Sequence, residues 1–140
     1  MSPINKNAVF AGDFCWEKFP TVYAKAINLC RKLTEVYDEA LTKYDILIMP
    51  TTITQADPLP LATDTAIVKM SKTIGKLDNT CPFNSTGHPA LAFPIGFVEA
   101  KNDRSVKVPA SMQIVGRHFE EITCLKAAFA WENSINWKEF

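Results

Sequence analysis

The side chains able to do chemistry gather in one stretch, Asp78-Asn79-Thr80-Cys81-Pro82-Phe83-Asn84-Ser85-Thr86-Gly87-His88, with His118 further along the chain. Ser85, His88 and Asp78 are the residue types of a nucleophile, a base and an orienting acid. Their closeness in sequence carries no geometry, and the same groups serve a loop that bonds to its own backbone, which is the reading adopted. Cys81 offers a thiol, but a thiolate nucleophile needs a cation or a paired histidine beside it. None is adjacent in the sequence, so a buried, inert cysteine is expected. His88, between Gly87 and Pro89, titrates in the range of an acid or base and is read as a structural loop residue. His118, which follows Arg117, is read as a capping or surface residue. Lys69, Lys72 and Lys76 read as a solvated helix face.

Several chemistries leave no trace. The five glycines form neither G-x-G-x-x-G nor G-x-x-x-x-G-K-[ST], so no backbone cradle for phosphates is predicted, and no G-x-S-x-G elbow occurs. Cys15, Cys30, Cys81 and Cys124 lie far apart, with no C-x-x-C and no clustering with the histidines. That spacing signals neither a zinc site nor a disulfide framework.

The elements that must position these residues follow from periodicity. From Thr21 to Tyr44, Val22, Ala26, Leu29, Leu33, Val36, Ala40 and Tyr44 recur three or four apart, as one helical face requires. Thr21 is placed to cap the start, and Glu39 and Lys43 form an i,i+4 pair. The preceding segment carries Phe10, Phe14, Trp16 and Phe19, too aromatic for a floppy tail, and is read as an extended stretch packed on the rest. Ile46-Leu47-Ile48-Met49, stopped by Pro50, has the pattern of a strand buried on both faces. Thr51 to Leu61 reads as an extended loop. Ile67, Met70 and Ile74 before Gly75 predict a short helix within Asp64 to Lys76. Asn79 to Ala90 is dense in turn formers and predicts a structured loop feeding a strand from Leu91 to Phe97, interrupted at Pro94. Ser111 to Gly116 gives a second strand, pairing with the first as an antiparallel hairpin with a long tip. Ile122, Leu125, Ala128 and Phe129 mark a helical face from about Glu120 to Trp131.

Composition is that of an ordinary globular chain: 140 residues, 47% hydrophobic and 21% charged, enough to bury a core without disulfides. Fifteen basic residues balance fifteen acidic ones, which disfavours a nucleic-acid or acidic-membrane partner. Met1 to Asn7 has no apolar leader pattern, and no stretch approaches the roughly 20 apolar residues of a membrane span. A soluble cytoplasmic protein with reduced thiols is expected. The sequon Asn84-Ser85-Thr86 is then moot.

Three segments carry a family resemblance. Tyr44-Asp45-Ile46-Leu47-Ile48-Met49-Pro50-Thr51-Thr52, then Cys81-Pro82-Phe83-Asn84-Ser85-Thr86-Gly87-His88-Pro89-Ala90-Leu91, then Met112-Gln113-Ile114-Val115-Gly116-Arg117-His118-Phe119 resemble successive landmarks of the amidase signature family, in the order of its C-terminal end. The closing Ala130-Trp131-Glu132 to Trp137-Lys138 stretch is similar to fungal acetamidase-type members. The resemblance covers Tyr23 to Phe140 and implies a large α/β fold that hydrolyses carboxamides with a Ser-Ser-Lys triad and needs no metal or organic cofactor. In that chemistry a neutral lysine relays a proton through a bridging serine, and backbone amides stabilise the oxyanion. The family's glycine- and serine-rich signature holds Gly-Gly and Ser-Ser steps, and this sequence has neither, so no catalytic residue carries over. By position in the motif, Asn79, Thr80 and Asn84 are implied as residues of the substrate-pocket wall.

The resulting expectation is an α/β chain forming the C-terminal portion of an amidase-signature-type mixed sheet flanked by helices, an incomplete domain with residues 1–20 as an N-terminal extended segment and 21–140 as the amidase-like region. Its substrate is a small-molecule amide, bound only together with the missing catalytic half. A complementing chain or self-association would supply what the sheet edges lack. Two other readings compete: an inactive remnant acting as a binding or interaction module, and an independent hydrolase using Cys81 or Ser85.

Overall fold

The computed structural model describes residues 2–72 and 77–139. Ile74, Gly75 and Lys76, invoked above for a helix end and a lysine row, lie outside the described residues.

Ser2 followed by Pro3 starts a helix, because the Ser2 hydroxyl accepts from the Asn5 amide at 3.3 Å and proline is preset for the first turn. This helix, α1 (Pro3–Lys18), corrects the expectation of an extended N-terminal segment: nothing in the run breaks a helix. Two of its aromatic residues make edge-on contacts ahead in the chain, Phe14 with Phe19 at the junction and Trp16 with Tyr23 on the next helix. The long helix α2 (Pro20–Lys43) starts at Pro20 rather than being capped by Thr21, and Phe19, at its cap, makes no side-chain bond. The expected Glu39–Lys43 pair forms at 3.1 Å.

Strand β1 (Leu47–Pro50) ends at a proline, which is tolerated because β1 is an edge strand, with order β1-β3-β2 in the sheet. The expectation of a strand buried on both faces is thereby corrected: Ile48 is 56% exposed. After α3 (Ala66–Ser71), whose start is capped by the Thr65 hydroxyl, the turn-rich segment folds as a short helix, α4 (Cys81–Thr86), not as a loop. Pro82 in its first turn and Gly87 just past its end, at φ 78°, are the start and stop signals responsible.

Strands β2 (Ala90–Ala100) and β3 (Asp103–Val115) form the expected antiparallel hairpin, but the tip is only Lys101-Asn102 and both strands run further than predicted. Asp103 stabilises the tight tip by accepting from the Ser105 amide and hydroxyl. The interruption expected at Pro94 is a register shift between Pro94 and Gly96. Both pairings in the sheet are antiparallel, so any parallel pairing of a mixed sheet lies beyond the described residues.

Helix α5 (Glu121–Ser134) lies on the sheet face that carries Phe93 and Ile114, and Cys124 and Ala128 complete a small core. A turn of 3-10 helix, Trp137–Glu139, follows and stacks Trp137 near Phe97. The apolar stripes read from the sequence are real but largely open. Val22, Leu29 and Val36 on α2, Tyr44 just past its end, and Ile122, Leu125 and Phe129 on α5 are all exposed, while the neighbouring Leu41, Cys124 and Ala128 make the contacts. Among the described residues, seven hydrophobic side chains are buried and twenty-four large ones are exposed, a ratio far from that of a finished domain.

Candidate functional site

The segment from Leu77 to His88 is fixed by bonds to three elements. Asn79 Nδ2 donates to the Pro50 carbonyl at 2.7 Å, and the Asn79 carbonyl accepts from Gln113 Nε2 at 2.8 Å, so the turn is pinned to β1 and β3 together. Thr80 Oγ1 donates to the Leu77 carbonyl. Asn84 and Ser85 face solvent on α4. The opposite side of α4 packs on α2 through Phe83, whose ring meets Tyr37 edge-on at 5.1 Å. Asn79, Thr80 and Asn84 therefore sit on one continuous, well-anchored segment, the first two partly buried and holding backbone carbonyls.

Gly87 then turns the chain so that His88 enters the interior. Its Nδ1 lies 3.0 Å from Thr86 Oγ1 and its Nε2 lies 3.2 Å from Asp38 Oδ1 on α2. Burial pushes the His88 pKa below its ordinary value, the neighbouring His118 pushes the same way, and Asp38 opposes them, so the imidazole is neutral at pH 7. His118 is not a cap or an ordinary surface residue: its ring stacks on His88 with centroids 4.0 Å apart, and its Nε2 stands 3.8 Å from the same Asp38 oxygen. The His88–Asp78–Ser85 grouping does not form, since both ring nitrogens of His88 face Thr86 and Asp38. Thr86, the hydroxyl in line with His88 and Asp38, is itself buried and out of reach of a substrate. Cys81, expected to be buried, is exposed at the start of α4.

Arg117 locks this region to α2. Its Nε donates to the Leu41 carbonyl at 2.8 Å, Nη2 donates to the Tyr44 carbonyl and to Asp45, and Nη1 donates to Glu120. The guanidinium fork thus satisfies carbonyls that the end of a helix leaves open. Gly116, just before it, is needed for closeness: an added Cβ would stand 2.8 Å from Cys124 Sγ. Asp38 is the residue that sequence reasoning misses, and only its place beside Tyr37, on the long helix α2, could draw attention to it.

Among the described residues, several open grooves border the sheet, two of them beside its paired strands and α5. One, about 580 Å³, runs between β2 and α5 and is lined by Leu91, Phe93, Ile122, Leu125 and Phe129. The other, about 480 Å³, lies over the loop after β1 and the hairpin, with Pro50, Thr52, Ile95 and Met112 in its wall. Neither contains a nucleophile paired with a base among its described lining residues.

The sequence model of the Amidase family matches residues 11–125. The chain is 39% identical, over 79% of its length and 52% of the relative's, to an uncharacterised protein in the nthA 5' region of Rhodococcus erythropolis. It is 29% identical to a subunit of the glutamyl-tRNA(Gln) amidotransferase of Shouchella clausii, over 96% of its length and 26% of that protein's. It is 34% identical to the enantioselective amidase of Rhodococcus rhodochrous, over 80% of its length and 20% of that enzyme's. The chain thus spans about half or less of the curated relatives it matches.

Proposed function

The chain belongs to the amidase family, and we propose that it is the C-terminal part of an amidase-signature hydrolase that cleaves carboxamides to carboxylate and ammonia. On this reading the Ser-Ser-Lys machinery lies on polypeptide outside these 140 residues, and this part closes the sheet and contributes to the substrate funnel. The observation that carries it is the open groove between β2 and α5. There an unpaired strand edge and the exposed apolar residues Ile122, Leu125 and Phe129 present the hydrogen-bonding groups and apolar area that a further layer of the domain would cover.

Asn79, Thr80 and Asn84 belong to the funnel wall in this proposal. Their segment is rigid because Asn79 ties it to both β1 and β3, which suits residues that must hold a pocket's shape. The substrate is a small amide, and its selection rests mainly on residues outside the chain. The remaining partner is the catalytic portion, as a covalent continuation, a complementing chain or a second copy. Balanced charge argues against a nucleic acid, and no helix among the described residues is long and apolar enough to cross a membrane. Four cysteines free of disulfides support a cytoplasmic, reducing setting.

The test is reconstitution. The purified chain is mixed with a separately expressed N-terminal portion of the Rhodococcus rhodochrous amidase, ending where the matched region begins, and ammonia release from simple amides is followed. Activity in the mixture and none in either part is the expected result. Hydrolysis by this chain alone, or a stable complex without activity, would overturn the proposal, the second outcome in favour of a non-catalytic binding module.

A further inference from the structure

Asp38, His88 and His118 come from three separate places, the C-terminal half of α2, the turn after α4 and the connection between β3 and α5, yet one donor atom from each lies within 4.8 Å of the others. We propose that these three side chains form a binding site for a divalent first-row cation, with Zn²⁺ as the fitting ion, held by two imidazole Nε2 atoms and one carboxylate oxygen. The inference is independent of the hydrolase reading.

The donor set is that of a three-ligand zinc site with a fourth position left to water. With bonds of about 2.0–2.1 Å, tetrahedral ligands stand roughly 3.3–3.4 Å apart. The two separations from Asp38 Oδ1, 3.2 Å to His88 Nε2 and 3.8 Å to His118 Nε2, already bracket that spacing. Closing the third edge requires the half-buried His118 to rotate out of its stack on the His88 ring, so that the two Nε2 lone pairs converge on one point. The outer contacts are also in place. The Thr86 hydroxyl at His88 Nδ1 fixes the ring so that Nε2 faces the site, the arrangement that orients metal-bound histidines. Asp38 is half-exposed, so the site opens to solvent on the side where a water would complete the shell. Gly87 at φ 78° delivers His88 beneath His118, whose ring would lie 3.6 Å from any Cβ added there. A bound cation would join α2, the turn after α4 and the β3–α5 connection through one atom, bracing the part of the chain where the family motifs meet.

The test uses the full chain with its exposed Cys15 and Cys81 replaced by serine, so that surface thiols do not compete. Zn²⁺ alone is titrated calorimetrically, and Co²⁺ alone is titrated with visible absorption as the readout. Asp38→Asn and His118→Ala, both at partly exposed positions, are the variants, and an unchanged urea midpoint in chelator shows that each still folds. One Zn²⁺ per chain is expected, with affinity weakened about tenfold or more by each variant. Co²⁺ should give ligand-field bands without a thiolate charge-transfer band. No saturable Zn²⁺ binding, affinity unchanged in the Asp38→Asn/His118→Ala double variant, or a thiolate band would each overturn the proposal, leaving a hydrogen-bonded histidine pair.

Discussion

Replacing Gly116 by alanine tests the packing that brings the motif at the end of β3 against α5. The added Cβ would stand 2.8 Å from Cys124 Sγ, 3.5 Å from the Glu120 carbonyl and 3.7 Å from a Pro89 ring carbon. An ordinary contact of this kind is about 3.5–4.0 Å, so the first of these must open by roughly 1 Å while the other two allow almost no compensating shift. Cys124 is 2% exposed and its sulfur already rests on the Pro89 carbonyl, so it has nowhere to rotate without displacing the first turn of α5. Overpacking of this sort costs about 1–3 kcal/mol. Cys124→Ala alone, which removes one buried heavy atom, should cost about 0.5–1.5 kcal/mol. In the double variant the new methyl occupies the space the sulfur leaves, so the combined loss should fall short of the sum by about 1 kcal/mol or more. Urea titration followed by tryptophan fluorescence measures all three variants, with Trp131 beside the core as reporter. Additive losses, within about 0.3–0.5 kcal/mol, would refute the assigned contact.

Arg117→Ala should cost about 1–3 kcal/mol, because it leaves the Leu41 and Tyr44 carbonyls without their donor, and Arg117→Lys should recover little since an ammonium cannot span both. Equal urea midpoints for the lysine variant and the parent would contradict this. Burial, with Glu121 adding to it, pushes the Cys124 thiol up from its ordinary value near 9.0. A raised folded-state pKa means stability that is intact below the unfolded value and is lost as pH rises through the folded one. The chain should therefore weaken above about pH 9 by an amount that Cys124→Ala removes, and a thiol reagent at pH 8 should label Cys81 well before Cys124. Leu125→Glu combined with Phe129→Glu, on the open side of α5, should move the urea midpoint by no more than about 0.5 kcal/mol yet abolish reconstitution of amide hydrolysis. A large loss of stability in the isolated chain would show that this face is already in use.

Much of the fold is legible in particular residues. The three-four spacing from Val22 to Tyr44 locates α2, Pro94 marks the register shift, and the apolar runs around Leu91 and Ile114 locate the paired strands. Periodicity identifies apolar faces without saying what covers them, so it finds the stripes on α2 and α5 but not their exposure. The N-terminal helix escapes the sequence reading because its aromatic residues suggest packing, although Ser2-Pro3 already carries a capped start. Cys81–Thr86 reads as a loop because turn formers surround it, and its Pro and Gly are equally the ends of one short helix. The hairpin tip looks longer in sequence than it is because Lys101 to Arg104 are polar, which a two-residue turn with solvated strand ends also allows. At the site, the anchoring of Asn79 and the meeting of His118 and His88 over Asp38 depend on tertiary proximity across dozens of residues, which no local spacing encodes.

The central claim, that this chain is one part of a larger hydrolytic unit, is tested most directly by the intact mass of the native species captured from its source with an antibody to this sequence. The account predicts a polypeptide well above 15.6 kDa, or a stoichiometric complex of that chain, containing a lysine and a glycine- and serine-rich segment with Gly-Gly and Ser-Ser steps. A 15.6 kDa monomer that melts in a single sharp transition would contradict it.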